Sequence, residues 1–393
     1  MHTLAVFHTA EPSGAAISLR GRLEWLAGQG RLTAVFPGEG LAADHYRGLA
    51  RVDRLPYAAM TLPAGAPGLP GALVRLRRET AMFRAYLLRE RPDLVVASSA
   101  MLPALLLATR LEGVPAIVHA AEVLVRDPTR HAAARMSGWA LARATRRLAN
   151  GIAACSQAVA REYLPGPPAV AITYPPIEPG CDQADGAGFR RAIGVDPTAP
   201  LIAAVGSVTR RRGQDVLVRA IKIASRALPE VRCAIVGDAF PRPQDLAYRS
   251  ELIGLIERLG LGGRVVMAGA RDDVRSVCAA ADVFVNPARV AESFGRGACE
   301  ALVCGCPVVS SRVGAVPEVL SDGRTALLVP PGRPGPLADR VLELLRRPDQ
   351  ARELATRGGE DVRSRFGGDA ALREFQGLVS DVLVRTRRPA CAS

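Results

Sequence analysis

The stretch Ala291 to Leu302, AESFGRGACEAL, sets two carboxylates, Glu292 and Glu300, eight positions apart around Gly295 and Gly297. A strand, DVFVNP, must end at Pro287, and a helix can start near Phe294 or Gly295 and run through Glu300 to Leu302. The unbonded amides at such a start, on a backbone left uncrowded by glycine, make an anion site that suits a diphosphate. Eight residues on a helix rise about 12 Å, less if the first lies in the entry loop. A nucleoside diphosphate carrying a sugar is long enough to use both ends. One carboxylate can accept hydrogen bonds from a ribose diol and the other from the hydroxyls of the sugar. Taken alone, the same pair is a helix cap and a solvated face residue. The neighbouring segments decide between the two.

Those segments alternate strands with helices. LAVF (4–7), LTAVF (32–36), DLVVASS (93–99), PAIVHA (115–120) and GIAACS (151–156) are expected strands. GAAISLRGRLEWLAGQG (14–30), VRLRRETAMFRAYLLRERP (74–92), ALLLATRLEG (104–113) and GWALARATRRLAN (138–150) carry apolar residues near helical spacing. Residues 165–200 then bring PGPP, YPPIEPG and DPTAP, a proline density that continues neither a helix nor a central strand, and mark a domain junction. After it the alternation restarts with five strands: 201–207, 232–238, 264–269, 282–287 and 306–311. Helices are expected between some of them and over 338–366, and a terminal stretch follows at 371–386. Two α/β units with doubly wound parallel sheets follow, facing across a cleft, with ligands at the carboxyl ends of the strands. We place the first at 1–180, with a helix at 368–386 packing back on it, and the second at 181–367.

The chain has 393 residues, a net charge of +13 and 49% hydrophobic residues, enough for large cores. Lys222 is its only lysine; the excess charge is arginine and fits anion contacts or an anionic membrane surface. No basic run interleaves with aromatics, so a nucleic-acid partner is not expected. No apolar run approaches the roughly 20 residues that span a bilayer, and MHTLAVF reads as a first strand, not a signal peptide. The eight cysteines form no CxxC pair, and we expect small buried hydrophobes in a reducing cytoplasm.

From Val205 to Leu337 the chain resembles the donor domain of family 4 glycosyltransferases, which have the two-domain GT-B fold. VGSVTRRRGQDVLVRAI (205–221), CAIVGD, VVMAGARDDV and above all NPARVAESFGRGACEALVCGCPVVSSRVGAVPEVLSDGRTALLVPPG (286–332) carry the resemblance. It implies that Glu300 binds the donor ribose and Glu292 the transferred sugar. The amides of Phe294 and Gly295, beside Ser293, hold the distal phosphate. Arg212 stands where the family has lysine and neutralises the diphosphate, and Ala270 or Arg271 meets the base. Ser207 replaces the family's arginine, so Arg210 or Arg211 is expected to substitute for it. In the first domain, Gly14 follows Ser13 in a turn near the phosphate, and His119 matches a histidine near the reacting sugar; Glu122, three residues on, is placed to orient it or to contact the acceptor.

The resemblance implies a retaining hexosyl transfer from a nucleotide sugar, UDP-linked by expectation, to a saccharide, lipid or natural-product hydroxyl. No Asp-x-Asp triplet occurs, and no metal or other cofactor is expected. A non-hydrolysing nucleotide-sugar 2-epimerase and a non-catalytic sugar-nucleotide-binding subunit are the alternatives. The protein is expected in the cytoplasm, with peripheral contact at the inner membrane face through its basic helices. Oligomeric state has no signature in the sequence.

Overall fold

The structure, a computed structural model, describes residues 1–11, 14–60, 69–124, 132–178 and 180–387. It divides into two compact units, Met1–Pro176 with Gly368–Ser393, and Ile177–Gly367.

The first unit runs β1 (His2–Phe7), α1 (Gly14–Gly28), β2 (Arg31–Phe36), β3 (Arg51–Arg54), α2 (Leu69–Glu90), β4 (Leu94–Ser98), α3 (Pro103–Glu112), β5 (Ala116–Ala120), α4 (Ala132–Leu148), β6 (Gly151–Ala154), α5 (Gln157–Ala160) and β7 (Ala169–Ile172). Its sheet is parallel throughout, in the order β3-β2-β1-β4-β5-β6-β7. The central strands are apolar runs because both faces are covered. One face packs Ala5, Phe7, Ala34, Phe36, Leu94, Val96 and Ile117 with Leu19, Leu23 and Leu26 of α1. The alternate residues Leu4, Val6, Val35, Val95 and Val118 are buried as completely.

The second unit runs α6 (Gly186–Ala192), β8 (Leu201–Val205), α7 (Gln214–Ala227), β9 (Arg232–Val236), α8 (Pro243–Arg258), β10 (Val265–Gly269), α9 (Val274–Ala280), β11 (Val283–Asn286), α10 (Arg296–Val303), β12 (Val308–Ser311), α11 (Val316–Val319), β13 (Leu327–Val329), α12 (Pro334–Arg346) and α13 (Pro348–Phe366). Its parallel sheet has the order β10-β9-β8-β11-β12-β13. Val216, Leu217, Ile221, Leu337 and Val341 cover one face; Phe189, Val195 and Val277 cover the other. The chain then returns to the first unit as α14 (Gly368–Arg387), whose Phe375, Leu378, Val379 and Val382 join the cluster around α1.

Three strands differ from expectation. β3 and β13 are four and three residues long, too short for a period to register. β7 lies inside the proline-rich stretch, but as the half-buried edge of its sheet, where flanking prolines remove no ladder bond. The helical run 338–366 breaks at Arg347 because Pro348 opens a new helix. The cysteines are not all free. Cys181 and Cys304, 123 positions apart, are joined as a disulfide with their Cα atoms 5.3 Å apart, a pairing no local spacing announces. Cys155, Cys233, Cys278, Cys299 and Cys306 are buried and take no part in that disulfide, and Cys391 lies outside the described residues.

Both tryptophans, Trp25 and Trp139, belong to the first unit, so their fluorescence reports its unfolding alone. Phe375 is fully buried and edge-on to Trp25 at 6.3 Å. Phe375→Ala is expected to remove about 3–5 kcal/mol from the urea transition followed by tryptophan emission. An unchanged transition would show that α14 does not support that core.

Candidate functional site

In the second unit the sheet order reverses between β8 and β11. The loops leaving these two strands diverge there, and the crevice between them is where open α/β sheets bind ligands. The loop after β8 ends in one tight turn, Arg210–Arg212, closed by Gly213 with φ 69°. A Cβ at Gly213 would stand 2.1 Å from the carbonyl oxygen of Pro287, so the two loops meet backbone to backbone. The Arg289 amide donates to the Arg211 carbonyl at 2.9 Å. The Arg289 guanidinium grips Asp215, whose carboxylate also accepts from the Tyr248 hydroxyl at 2.9 Å.

The far side of the crevice is pinned as well. The Glu292 carbonyl accepts from the Ala315 amide at 2.8 Å, and a Cβ at Gly314 (φ 53°) would stand 2.2 Å from it. Across the crevice, Arg212 Nη1 donates to Glu292 Oε1 at 2.6 Å, with the carboxylate side chain 14% exposed and the guanidinium 41%. Four arginines here each have a carboxylate: Arg210 on Glu251, Arg289 on Asp215, Arg212 on Glu292 and Arg296 on Glu300.

The helix expected near Phe294 starts at Arg296, with Gly295 as its cap at φ 91°. The first of its amides with a backbone partner is that of Ala298, bonded to the Gly295 carbonyl at 3.1 Å. The helix itself leaves the amides of Arg296 and Gly297 unclaimed. Phe294 turns inward, edge-on to Phe366 at 5.1 Å, and Ser293 is half-buried. Glu300 lies on α10 with Oε1 bonded to Arg296 Nε at 2.6 Å. Arg211 and Ala270 are exposed. Arg271 makes two bonds to Asp273, at 2.7 and 2.8 Å, and lies over the Phe189 ring. The position of the missing arginine, Ser207, offers its carbonyl to Gln214 Nε2 at 3.0 Å. Arg210 is engaged with Glu251, which leaves Arg212 as the cation aimed at Glu292.

The remaining predicted residues lie in the first unit. Gly14 is the exposed first residue of α1, and Ser13 lies outside the described residues. His119 is completely buried in β5. Arg22 Nη1 reaches its Nδ1 at 3.2 Å and Ser18 Oγ its Nε2 at 3.1 Å. A guanidinium only donates, so Nδ1 accepts and Nε2 carries the proton donated to Ser18. Burial, and then the charge of Arg22, hold His119 far below its ordinary pKa. Arg22 is itself 2% exposed, donates to the carbonyls of Thr173 and Tyr174, lies over Phe375, and is pushed by burial down to about 10. His119 in this conformation therefore offers no ring surface to a ligand. The Glu122 carboxylate accepts from the Ala121 amide at 3.4 Å and makes no bond to His119.

A further histidine, His8, lies at the carboxyl end of the first sheet. It follows β1, beside the reversal of the first sheet between β1 and β4. His8 is half-buried, and its Nδ1 donates to the Ser98 carbonyl at 2.6 Å, which leaves Nε2 as the acceptor nitrogen of a neutral ring. Ser99, the next residue and fully buried, holds φ 127°, a costly conformation for serine. A lone histidine after a strand carries no signal in sequence. Arg22 was equally hidden, since it reads as one more arginine on an amphipathic helix.

Two consecutive nucleotide-binding-type sheets, the second with an arginine and a glutamate closing its crevice, define a GT-B architecture. Residues 188–361 match the family Glycosyl transferases group 1, and residues 13–177 match the Glycosyl transferase 4-like domain. The chain belongs to the family 4-like GT-B glycosyltransferases. It is 35% identical over 178 residues to a D-inositol 3-phosphate glycosyltransferase of Mycobacterium sp. strain KMS, over 44% of this chain and 39% of that one. It is also 35% identical over 196 residues to the alpha-maltose-1-phosphate synthase of Mycolicibacterium smegmatis, over 47% of this chain and 48% of that one. The matched region thus spans less than half the length of these curated relatives. In fold it is similar to Anabaena Alr3699/HepE, solved in complex with UDP-glucose, with a TM-score of 0.81 and 21% identity over 97% of this chain and 100% of that one.

Two outcomes test this geometry. Gly213→Ala must open the contact with Pro287, and we expect a loss on the order of 2–4 kcal/mol in thermal or urea unfolding. His119 stays neutral in the fold while the unfolded chain takes up a proton below about pH 6.5. Its contribution is therefore complete above that pH and is lost as the pH falls. The first unit should lose up to about 1.4 kcal/mol per pH unit in this range, and His119→Asn should flatten that slope. An unchanged slope in the variant would place the acid sensitivity elsewhere.

Proposed function

We propose that this protein transfers a sugar, with retention of anomeric configuration, from UDP-linked donor to a hydroxyl acceptor without a metal ion. The observation that carries the reading is the crevice between β8 and β11, where Arg212 and Glu292 meet beside the free amides that open α10. Arg212 and those amides take up the charge that leaves with the diphosphate, the role a preorganised cationic site fills in such chemistry. Glu292 accepts hydrogen bonds from the transferred sugar. Glu300, with Oε1 held by Arg296, keeps its second oxygen for the ribose. The UDP assignment draws on the UDP-glucose complex of the Anabaena neighbour.

The reaction runs on one face of the sugar. The anomeric carbon–oxygen bond to the phosphate breaks, the acceptor oxygen bonds to the same face, and its proton passes to the departing phosphate oxygen. In the first unit, His8 Nε2 is suited to accept a hydrogen bond from a hydroxyl group, since Nδ1 is taken by the Ser98 carbonyl. A phosphorylated polyol acceptor is suggested by the name of the D-inositol 3-phosphate glycosyltransferase relative. The 2-epimerase and the non-catalytic subunit have no observation in their favour.

A second reading concerns the surface of the first unit. Among the described residues α4 contains no acid, and Arg135, Met136, Trp139, Ala140, Arg143 and Arg147 form its exposed stripe, with Met136 71% and Trp139 58% exposed. Arg143 lies over the Trp139 ring at 5.5 Å. Aromatic and thioether side chains among arginines suit an anionic lipid surface. No helix among the described residues is long and apolar enough to cross a membrane.

Calorimetry with UDP-, GDP- and ADP-glucose tests the donor. We expect UDP-glucose to bind and Glu300→Ala to weaken it at least tenfold, with an α-linked product by NMR from inositol phosphate. Absence of binding by all three sugars would sink the donor reading; a β-linked product would sink retention. Flotation with phosphatidylglycerol vesicles at low salt tests the surface, which fails if the protein stays unbound.

A further inference from the structure

We infer that Glu292 also determines which form of the nucleotide the site holds: it rejects the empty nucleoside diphosphate in favour of the sugar-loaded one by competing for Arg212. The inference rests on the donor reading above.

Consider what an arriving diphosphate must displace. Arg210, Arg289 and Arg296 are committed to Glu251, Asp215 and Glu300. Arg212 is committed to Glu292, and its guanidinium packs close to Gly206 at the end of β8, in line with the crevice. Drawing Arg212 onto phosphate strips Glu292 of that ion pair. Glu251, Asp215 and Glu292 differ in what they lose when a cation leaves. Glu251 is 56% exposed and falls back on water. Asp215 keeps the Tyr248 hydroxyl and is 16% exposed. Glu292 is 14% exposed, and the Arg212 bond is the only one its carboxylate makes among the described residues. Its backbone cannot retreat, because the Ala315 amide and the close approach of Gly314 hold it. An orphaned, largely buried carboxylate beside phosphate is strongly unfavourable.

The two forms of the nucleotide compensate that loss differently. UDP brings only phosphate oxygens, which accept and are negative, so it repels Glu292 as it takes Arg212. UDP-glucose carries hydroxyl donors beyond the second phosphate, and these satisfy the carboxylate that Arg212 has left. The same residue therefore rewards the substrate and penalises the product, a built-in repulsive element that gives specificity. After transfer the sugar hydroxyls are gone, Glu292 recaptures Arg212, and UDP is expelled.

The test is isothermal titration of UDP and UDP-glucose into the full chain, as wild type, Glu292→Gln and Glu292→Ala, with folding checked by circular dichroism. Wild type is expected to bind UDP-glucose at least tenfold tighter than UDP. Both variants should bind UDP roughly 3–30-fold tighter than wild type while UDP-glucose binding stays level or weakens, so the preference collapses. Arg212→Ala should weaken both ligands. If UDP affinity is unchanged or lower in both folded Glu292 variants, the competition is refuted, while UDP-glucose binding in wild type would leave the donor reading standing. If wild type binds neither ligand, the donor reading itself falls and the inference with it.

Discussion

The contact between Arg212 and Glu292 organises the second unit. It joins two loops that the sheet sends in opposite directions, and every nearby feature acts to hold those loops within reach. Gly213 lets the first loop touch the Pro287 carbonyl, Gly314 lets the following turn close on Glu292, and the Arg289 amide links the two sides through Arg211. The crevice is closed by opposite charges and not by apolar packing. A charged ligand can therefore enter it only by exchanging one partner for another, and the structure sets which exchanges are favourable.

The first unit uses charge in a different way. Arg22 is buried without a carboxylate and donates to two main-chain carbonyls and to His119. A buried cation that holds only neutral acceptors is costly to place. Here it fixes the exit of β7, the ring beneath the β1–β4 reversal and the packing of α14 at one point. His119 belongs to that arrangement, and its ring is turned to Ser18 and Arg22 instead of outward. His8, by contrast, spends only Nδ1 on the Ser98 carbonyl.

Charge also marks the outside of the first unit. α2 carries only Glu79 and Glu90, both with side chains under a tenth exposed, and α4 carries no acid. Arginine in this chain thus makes ion pairs around the crevice, supplies one buried anchor, and gives α4 a basic face that carries no acid. Bulk composition merges the three into a single net charge, and only burial separates them.

The strands were legible because buried parallel strands are short apolar runs between turn residues, and the site loops because glycine, glutamate and arginine stand there at fixed offsets. Helix caps and short edge strands were less legible, as β3, β7 and β13 lack the length for a period. What the sequence determined by itself is the alternation that makes two doubly wound sheets, and the acidic and glycine residues placed after β11, since both depend on local spacing. Tertiary structure alone decided which arginine meets which carboxylate, that Cys181 lies against Cys304, and that His119 faces inward while His8 does not. Arg212 and Glu292 are 80 positions apart, His119 and Ser18 101, and Cys181 and Cys304 123, and no local pattern encodes contacts at such separations.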